Sequence, residues 1–255
     1  MNDSGERFKG QSAFVTGAAT GIGESCAKKL ARGGAAVAVC DIDEEGGRRV
    51  AEEIRSEGGE ALYSPADLTD WGETLGAVEG FHEERGRLDI LVHSAGGFPH
   101  YVSLLDCPVD AWEGVVDSNL KSMFYLLKAA APLMIAGGYG RIVSLSSMAA
   151  RSGVNPNPPH YTAAKAGVLG LTRQAARELG PHGITVNAVA PANVRTPRTL
   201  GIRSEERIQH IKKTTPVGRL SEPDEIAEAV IFLCSREASY VTGVTLDANG
   251  GATMV

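Results

Sequence analysis

Short and almost continuously apolar runs alternate along the chain with longer segments whose apolar residues recur at helical spacing. Runs of this length without polar alternation are typical of strands buried on both faces of a parallel sheet. They predict strands over residues 12–16, 35–40, 61–64, 88–92, 141–145, 184–189 and 244–247. The segments between them predict helices over residues 24–33, 44–58, 71–85, 110–135, 160–179 and 223–235.

Strands that alternate with helices predict an α/β protein, because right-handed crossovers place helices on both faces of a parallel sheet. The expected fold is one doubly wound domain over residues 1–255, with a parallel sheet of about seven strands. No repeat, linker or change of composition divides the chain. Residues 195–216 are polar and irregular, and we interpret them as a variable, mobile loop over a substrate.

The composition narrows the function classes. A hydrophobic content of 43% and a net charge of −6 exclude a disordered chain and argue against a dedicated nucleic-acid binder. No uninterrupted apolar run approaches the ~18 residues of a membrane span, and the polar first residues differ from a signal peptide. Cysteines without Cys-x-x-Cys spacing indicate reduced thiols in a cytoplasmic protein. Scattered histidines give no metal site.

A glycine-rich turn joins the first predicted strand to the first predicted helix. Its sequence from Thr16 to Gly23, TGAATGIG, has T-G-x-x-x-G-x-G spacing. Glycines let the backbone turn sharply and approach a pyrophosphate, towards which the helix N-terminus directs its N–H groups. Between a strand and a helix, this favours a dinucleotide-binding turn over an ordinary one. The predicted contacts of this turn are Gly17, Thr20, Gly21, Ile22 and Gly23.

Asp41 closes the second predicted strand, where a carboxylate can accept hydrogen bonds from both hydroxyls of an adenosine ribose. The same charge would repel a 2′-phosphate, and neither Thr20 nor Ile42 supplies a basic side chain that would bind one. The sequence therefore predicts NAD rather than NADP as cofactor, with Asp41 and Ile42 among its contacts. A helix-capping aspartate is the alternative interpretation of Asp41.

Tyr161 and Lys165 are four residues apart in a predicted helix and share one face. A free phenol has a pKa of about 10, so it carries protons poorly at neutral pH. A nearby cation favours the phenolate and lowers that pKa. We therefore expect Lys165, together with a positively charged cofactor ring, to lower the pKa of Tyr161. An exposed helix face is the alternative for such a pair taken alone.

Taken in their order along the chain, these motifs resemble the short-chain dehydrogenase/reductase family over essentially the whole sequence. The resemblance also rests on Asp67-Leu68, residues 91–96, Asn119-Leu120, Ser146-Ser147, and residues 187–191, 216–227 and 241–251. It implies a Rossmann fold and an NAD-dependent oxidoreductase that interconverts a secondary alcohol and a ketone. It also implies a homotetramer assembled through the helices at 110–135 and 160–180 and the C-terminal segment.

The resemblance assigns a catalytic set of four residues. Ser147 would hydrogen-bond the substrate oxygen, Tyr161 would take or give the hydroxyl proton, and Lys165 would hold the nicotinamide ribose. Asn119 would interrupt its helix and hold a water of the proton relay. Ser146 is the alternative to Ser147.

The same resemblance extends the cofactor site. Asp67 would bind the adenine amino group with Leu68 beneath the ring, although an aspartate in a turn is the alternative. Further implied contacts are Ser94, Ala95, Gly96, Tyr161, Lys165, Pro191, Val194 and Thr196.

Two positions depart from the family pattern. Pro191-Ala192 stands where Pro-Gly is usual, so a glycine-specific backbone angle is either absent or strained. His93-Ser94 stands where Asn-Asn is usual, and we interpret His93 as a hydrogen-bonded structural histidine rather than a base.

The expected substrate is a small-molecule alcohol or ketone. The expected pocket wall comprises residues 97–101, 148–160 and 195–215, with Phe98, Tyr101 and Val154 making it partly apolar. Arg195 and Arg198 are candidates for contact with an anionic substrate, solvated loop arginines being the commoner interpretation. A 3-oxoacyl-carrier reductase and a catalytically silent, nucleotide-sensing scaffold are the alternative functions.

Overall fold

A parallel sheet forms the centre of the molecule in the computed structural model, which describes residues 6–153 and 157–254. Its strands are β1 (Ser12–Thr16), β2 (Ala36–Asp41), β3 (Glu60–Pro65), β4 (Ile90–His93), β5 (Gly140–Leu145), β6 (Ile184–Pro191) and β7 (Thr245–Ala248). All neighbouring pairs are parallel, in the order β3-β2-β1-β4-β5-β6-β7. This confirms the predicted doubly wound fold with seven strands.

Helices connect successive strands. They are α1 (Gly21–Arg32), α2 (Glu44–Ser56), α3 (Trp71–Arg85), α4 (Val109–Val116), α5 (Ser122–Gly137), α6 (Pro159–Leu179), α7 (Pro197–Ile202), α8 (Glu205–Thr214) and α9 (Pro223–Cys234). Local capping determines where several begin: the side chains of Asp43 and Asp70 accept hydrogen bonds from backbone N–H groups in the first turns of α2 and α3.

The predicted continuous helix over residues 110–135 is interrupted. A π-helical turn at Asp117–Lys121 separates α4 from α5 and contains Asn119. The side-chain amide of Asn119 donates to the Val115 carbonyl at 2.8 Å and so satisfies a carbonyl of the preceding turn. The helix is therefore interrupted at Asn119, as the family resemblance implied.

The expectation of an irregular segment at residues 195–216 is wrong, because this segment contains α7 and α8. Thr196 caps α7 by accepting a hydrogen bond from the Thr199 N–H at 3.1 Å, and Pro197 is its first residue. Ser204 caps α8 in the same way. A hydroxyl at the cap and proline at the first position are helix-start signals, which the polar composition of the segment obscured.

Both faces of the sheet are covered, so only its ends remain for a binding site. One apolar cluster packs α1, α2 and α9 on the strands and includes Leu30, Val50 and Val230. A second packs α3, α5 and α6 on the opposite side and includes Phe81, Leu126 and Val168.

The strand order reverses between β1 and β4. The chain runs outward from β1 through β2 and β3, and outward in the other direction from β4 through β7. Loops that leave β1 and β4 therefore diverge and open a crevice at the carboxyl ends of these strands, where ligands bind in folds of this kind. Thr16 and His93, the last residues of the two strands, are direct register partners.

By length and composition alone, the helical segment Val109–Gly137 could cross a membrane, with a mean hydropathy of 1.2 over its most apolar window. This is weak evidence, since a core helix of a soluble protein passes the same test. In this structure Met123, Leu126 and Met134 of α5 are buried in the cluster beneath the sheet.

Gly80 and Gly23 provide a matched test of helix packing. A Cβ added at Gly80, on the exposed face of α3, meets nothing within 4 Å, whereas one added at Gly23 in α1 overlaps the Gly17 carbonyl. We expect Gly80→Ala to stabilise the protein by about 0.5–1 kcal/mol, because alanine loses less entropy in a helix. Gly23→Ala should destabilise it by about 1–3 kcal/mol. Urea unfolding measures both, and a stabilised Gly23→Ala variant would contradict the close contact.

Candidate active site

A cavity of about 560 Å³ lies in the crevice at the carboxyl ends of the strands. Of the residues predicted to form the site, Gly23 and Asn119 do not line it; the others do. Those that line it are Gly17, Thr20, Gly21, Ile22, Asp41, Ile42, Asp67, Leu68, Ser94, Ala95, Gly96, Ser147, Tyr161, Lys165, Pro191, Val194 and Thr196. Loops far apart in sequence therefore meet at one site.

The glycine turn after β1 is held closely against the turn after β4. Gly17 and Gly21 have left-handed φ angles of 61° and 62°, and a Cβ at Gly17 would lie 2.7 Å from the Ala95 nitrogen. The Thr16 hydroxyl accepts hydrogen bonds from the N–H groups of Ser94 and Ala95 at 3.2 and 3.3 Å. Side chains at these glycines would fill the cradle, and the space that their absence leaves fits the pyrophosphate of a dinucleotide. Sequence reasoning missed the bracing role of Thr16.

Asp41 holds the glycine turn from the end of β2. Its carboxylate accepts a hydrogen bond from the Ala19 N–H and another from the Asp43 N–H, both at 3.0 Å. A carboxylate has about four acceptor positions, so Asp41 retains lone pairs for a ribose diol. Asp43, rather than Asp41, caps α2. Ile42 is 76% exposed at the cavity edge and contributes no cation.

Asp67 forms a turn and also lines the cavity. Its Oδ1 accepts hydrogen bonds from the backbone N–H and the hydroxyl of Thr69, at 2.9 and 2.8 Å. This is the turn role considered from the sequence, and it leaves the second carboxylate oxygen for other contacts. Leu68 beside it is 7% exposed and also lines the cavity.

Asn119 braces the turn after β4 from beneath the cavity. Its Oδ1 accepts a hydrogen bond from the Gly97 N–H at 2.7 Å, and its Nδ2 donates to the Gly97 carbonyl at 2.8 Å. A Cβ at Gly96 would lie 2.5 Å from the same Oδ1. The π-helical turn thus brings the amide against the Gly96–Gly97 backbone, and the side chain is fully buried.

The two serines after β5 have different environments. Ser146 is buried and donates its hydroxyl to the Lys165 carbonyl at 2.9 Å. The Ser147 hydroxyl accepts a hydrogen bond from the Ala149 N–H at 3.1 Å, and its interaction with the Tyr161 phenol acts to lower the pKa of that phenol. Ser147, and not the alternative Ser146, therefore faces Tyr161.

Burial dominates the electrostatics of Tyr161. It raises the pKa of the phenol, while the hydrogen bond from Ser147 and the charges of Arg198 and Arg203 act in the opposite direction. Lys165 is not among the groups that lower this pKa. The expectation that Lys165 lowers the pKa of Tyr161 is therefore wrong for this structure.

The environment of Lys165 explains the difference. The side chain is 3% exposed, and burial with a smaller contribution from Arg198 lowers its pKa to about 7. An amine with this pKa is about half uncharged at neutral pH. Its Nζ donates to the Leu145 carbonyl at 2.8 Å and lies 5.8 Å from the centroid of the Tyr161 ring. Lys165 therefore places less charge on the phenol than its spacing suggested.

His93 occupies the end of β4 in a fully buried position. Burial, followed by the charge of Lys165, lowers its pKa to about 3, so the ring is neutral at physiological pH. Its Nε2 and the Ser122 hydroxyl are hydrogen-bonded at 3.0 Å. These contacts agree with a structural histidine.

The segment after β6 lies over the glycine turn without backbone strain. Among the described residues only glycines have a left-handed φ, so Ala192 does not adopt the glycine-specific angle. Val194 forms a parallel bridge with Ser221. The Thr196 methyl group would lie 3.1 Å from a Cβ at Gly21, which brings this segment close to the turn.

Aromatic rings form one wall of the cavity, as expected. The centroid of the Phe98 ring lies 4.8 Å from that of Tyr161 and 5.3 Å from that of Tyr101, both in edge-to-face geometry. Val154, the third residue named for this wall, lies outside the described residues.

The arginines of the lid, defined as residues 195–216, separate into two groups. Arg195 forms an ion pair with Glu222 at 2.9 Å and does not line the cavity. Arg198 and Arg203 do line it. Arg203 escaped the sequence reasoning, because no spacing or motif distinguishes it from other polar residues of the segment.

Known proteins are similar to this chain over almost its whole length. A family model described as Enoyl-(Acyl carrier protein) reductase matches residues 17–253. A cis-4-hydroxycyclohexanecarboxylate dehydrogenase of Sinomonas cyclohexanicum is 41% identical over 98% of this chain and all of its own length. An NAD(+)-dependent 2-dehydro-3-deoxy-L-rhamnonate dehydrogenase of a Sphingomonas species is 36% identical over 97% of both chains.

The structure is also similar to a crystal structure of a 3-oxoacyl-[acyl-carrier protein] reductase from Brucella melitensis with bound NAD. The TM-score is 0.89 at 33% sequence identity, over 98% of this chain and 95% of the other. The motifs, the fold and these similarities agree, and the chain belongs to the short-chain dehydrogenase/reductase family.

Proposed function

We propose that this protein is an NAD-preferring dehydrogenase that interconverts a secondary alcohol and a ketone, with Tyr161 as the general acid and base. The observation that carries this proposal is the presence of Ser147 and Tyr161 together in the cavity that the glycine turn also lines. Proton transfer and dinucleotide binding would therefore share one cavity, as hydride chemistry requires.

The residues present fit the cofactor. The turn from Gly17 to Ile22 and the N-terminus of α1 would hold the pyrophosphate, Asp41 the adenosine ribose and Lys165 the nicotinamide ribose. Asp67 and Leu68 would meet the adenine. When bound, the nicotinamide supplies a hydride acceptor for the carbinol carbon, so the alcohol is oxidised as the cofactor is reduced.

Side chains of the site transfer the proton that the alcohol loses together with the hydride. In oxidation the substrate O–H bond breaks and its proton passes to the phenolate oxygen of Tyr161; in ketone reduction the phenol returns it. Before substrate binds, the Ser147 hydroxyl favours the phenolate of Tyr161 by donating to it. With substrate bound, the same hydroxyl binds the substrate oxygen. Asn119, which braces the neighbouring turn, is the proposed holder of a relay water.

Asp41 supports NAD over NADP, since its carboxylate would repel a 2′-phosphate and Ile42 offers no cation to bind one. This also weighs against the alternative of a 3-oxoacyl-carrier reductase that uses NADPH. A catalytically silent, nucleotide-sensing scaffold is the other alternative. The contact between Ser147 and Tyr161 argues against it, and turnover of a ketone panel with NADH discriminates between a scaffold and an enzyme.

We further propose a cytoplasmic homotetramer in which residues 1–255 act as one cofactor-binding and catalytic domain. Helices α4 and α5 carry exposed apolar side chains that a partner subunit would cover, among them Val109 at 75% and Phe124 at 47% exposure.

Cofactor preference is the first test. We expect kcat/KM with NAD to exceed that with NADP at least tenfold, about 1.4 kcal/mol. Asp41→Asn keeps an acceptor for the Ala19 N–H but removes the charge, so it should lower the ratio of kcat/KM with NAD to kcat/KM with NADP. Adding Ile42→Arg should lower this ratio further. Asp70→Asn, at the cap of α3, is the control and should leave the ratio unchanged. Equal use of both cofactors by the unmodified protein would refute the role of Asp41.

Removal of the phenol oxygen tests the proton carrier. Tyr161→Phe keeps the ring that packs on Phe98 and should lower kcat by roughly 10²–10⁴, the usual contribution of general acid–base catalysis. NADH affinity, measured by fluorescence titration, should be nearly unchanged. Tyr240→Phe alters a fully exposed tyrosine and should keep full activity. Wild-type turnover by Tyr161→Phe would rule out the mechanism.

The pH dependence of alcohol oxidation tests the hydrogen bond from Ser147. Because the phenolate accepts the proton, the rate should rise as the pH passes upward through the pKa of Tyr161, which burial has raised. Ser147→Ala removes a hydrogen bond that lowers this pKa, so the midpoint should move to higher pH. Ser147→Thr retains the hydroxyl and should restore it. An unchanged midpoint in Ser147→Ala, at saturating NAD⁺, would assign the titration to another group.

A further inference from the structure

Three basic side chains meet at the end of the cavity occupied by Tyr161. Lys165, Arg198 and Arg203 all line it. Two of them have partners: Lys165 donates to the Leu145 carbonyl, and Arg198 donates to the Gly96 carbonyl. Among the residues that the structure describes, Arg203 has no such backbone contact, so its guanidinium retains N–H donors for a ligand.

The Arg203 guanidinium is incompletely satisfied within the residues that the structure describes. Its Nε is buried and has no hydrogen-bond partner there. Its guanidinium carbon lies 5.7 Å from the centroid of the Tyr101 ring, a cation–π contact that leaves the N–H groups free to bind an acceptor. A buried, unpaired donor on a charged group is costly, and an anion in the cavity would relieve that cost.

Within residues 6–153 and 157–254, no carboxylate is paired with Arg203. Burial lowers the pKa of Arg203, and the charged or titratable groups that also shift this pKa are Tyr101, Arg207 and Tyr161. Arg195, in contrast, forms an ion pair in which its Nε lies 2.9 Å from the Glu222 Oε1. A solvated lid arginine would resemble Arg195, so the environment of Arg203 requires another explanation.

The neighbours of Arg203 place it on the aromatic side of the cavity. Its guanidinium lies against the ring of Tyr101, and its charge acts to lower the pKa of Tyr161. The rings of these two tyrosines flank Phe98. An apolar wall therefore runs from the reacting phenol towards the guanidinium. A ligand that fits this arrangement has a hydroxyl or carbonyl at one end, a compact hydrocarbon body and an anionic group at the other.

We propose that Arg203, assisted by Arg198, binds the carboxylate of the substrate, and that the substrate is a hydroxy acid or keto acid with a compact apolar body. This deepens the proposed function and rests on it, because the reacting oxygen is placed at Tyr161 and Ser147. Planar guanidinium and carboxylate groups form paired, charge-assisted hydrogen bonds, and the partial desolvation of Arg203 strengthens them.

A binding experiment tests the anion site without requiring turnover. Isothermal titration calorimetry, with and without saturating NADH, compares cyclohexanecarboxylate with cyclohexanecarboxamide, an uncharged analogue of similar shape. Neither probe carries a hydroxyl that could react. We expect the carboxylate to bind at least tenfold more tightly to the unmodified protein, and this preference to weaken as salt is added. Equal affinities overturn the proposal.

Variants locate the preference on the guanidinium. Arg203→Met keeps much of the apolar stem and should abolish the tenfold preference, whereas Arg203→Lys retains charge without the planar fork and should recover part of it. Arg198→Met should reduce it less. Arg195→Met removes an arginine paired outside the cavity and should leave it intact. If Arg203→Met does not fold, Arg203→Lys decides by the same comparison. A full preference for the carboxylate over the carboxamide in Arg203→Met overturns the proposal.

Kinetics distinguishes failure of this inference from failure of the proposed function. Oxidation of cyclohexanol and of 4-hydroxycyclohexanecarboxylate by NAD⁺ is compared in the unmodified protein and in Arg203→Met. We expect kcat/KM to favour the hydroxy acid at least tenfold, mainly through KM, and the preference to disappear in the variant. Equal oxidation of both compounds overturns the anion site but leaves the dehydrogenase. Oxidation of neither, with carboxylate binding lost in Arg203→Met, refutes the dehydrogenase and supports the anion site.

Discussion

Parallel pairing of every strand is the constraint on which the site depends. It directs all seven carboxyl ends to one edge of the sheet, so the loops that leave them meet although they are far apart in sequence. Thr16 pairs with His93, and His93 with Ser144, so three neighbouring strands of the sheet end within one residue of one another. Helices cover both faces, and the reversal of strand order between β1 and β4 leaves the crevice as the place where polar side chains can gather.

The bracing contacts around that crevice show how much of the site is structural. Thr16, Asp41 and Asn119 each fix a loop by binding its backbone N–H groups. Such contacts hold a binding site in place before a ligand arrives, which limits the entropy lost on binding. The π-helical turn belongs to the same arrangement, because it brings the Asn119 amide against the turn after β4.

Burial sets the charge state of the ionisable groups at the floor of the site. It lowers the pKa of His93 to about 3 and of Lys165 to about 7, and it raises the pKa of Tyr161. Each shift favours the neutral form, as desolvation requires. The cations that oppose the shift of Tyr161 belong to the lid, so recognition of the substrate and tuning of the proton carrier share the same two arginines, Arg198 and Arg203.

Much of the fold and of the site follows from the sequence, because the strands and the main site residues belong to local sequence patterns. Apolar runs located the strands to within two residues, and the glycine turn, Asp41, Ser147, Tyr161 and Lys165 were each identified from spacing or resemblance. Tertiary packing decided the rest. Whether Lys165 carries its full charge depends on how deeply it is buried, and whether Arg203 has a carboxylate partner depends on which side chains surround it. Neither property is local to the chain, since desolvation and pairing are set by neighbours that the fold brings from distant positions.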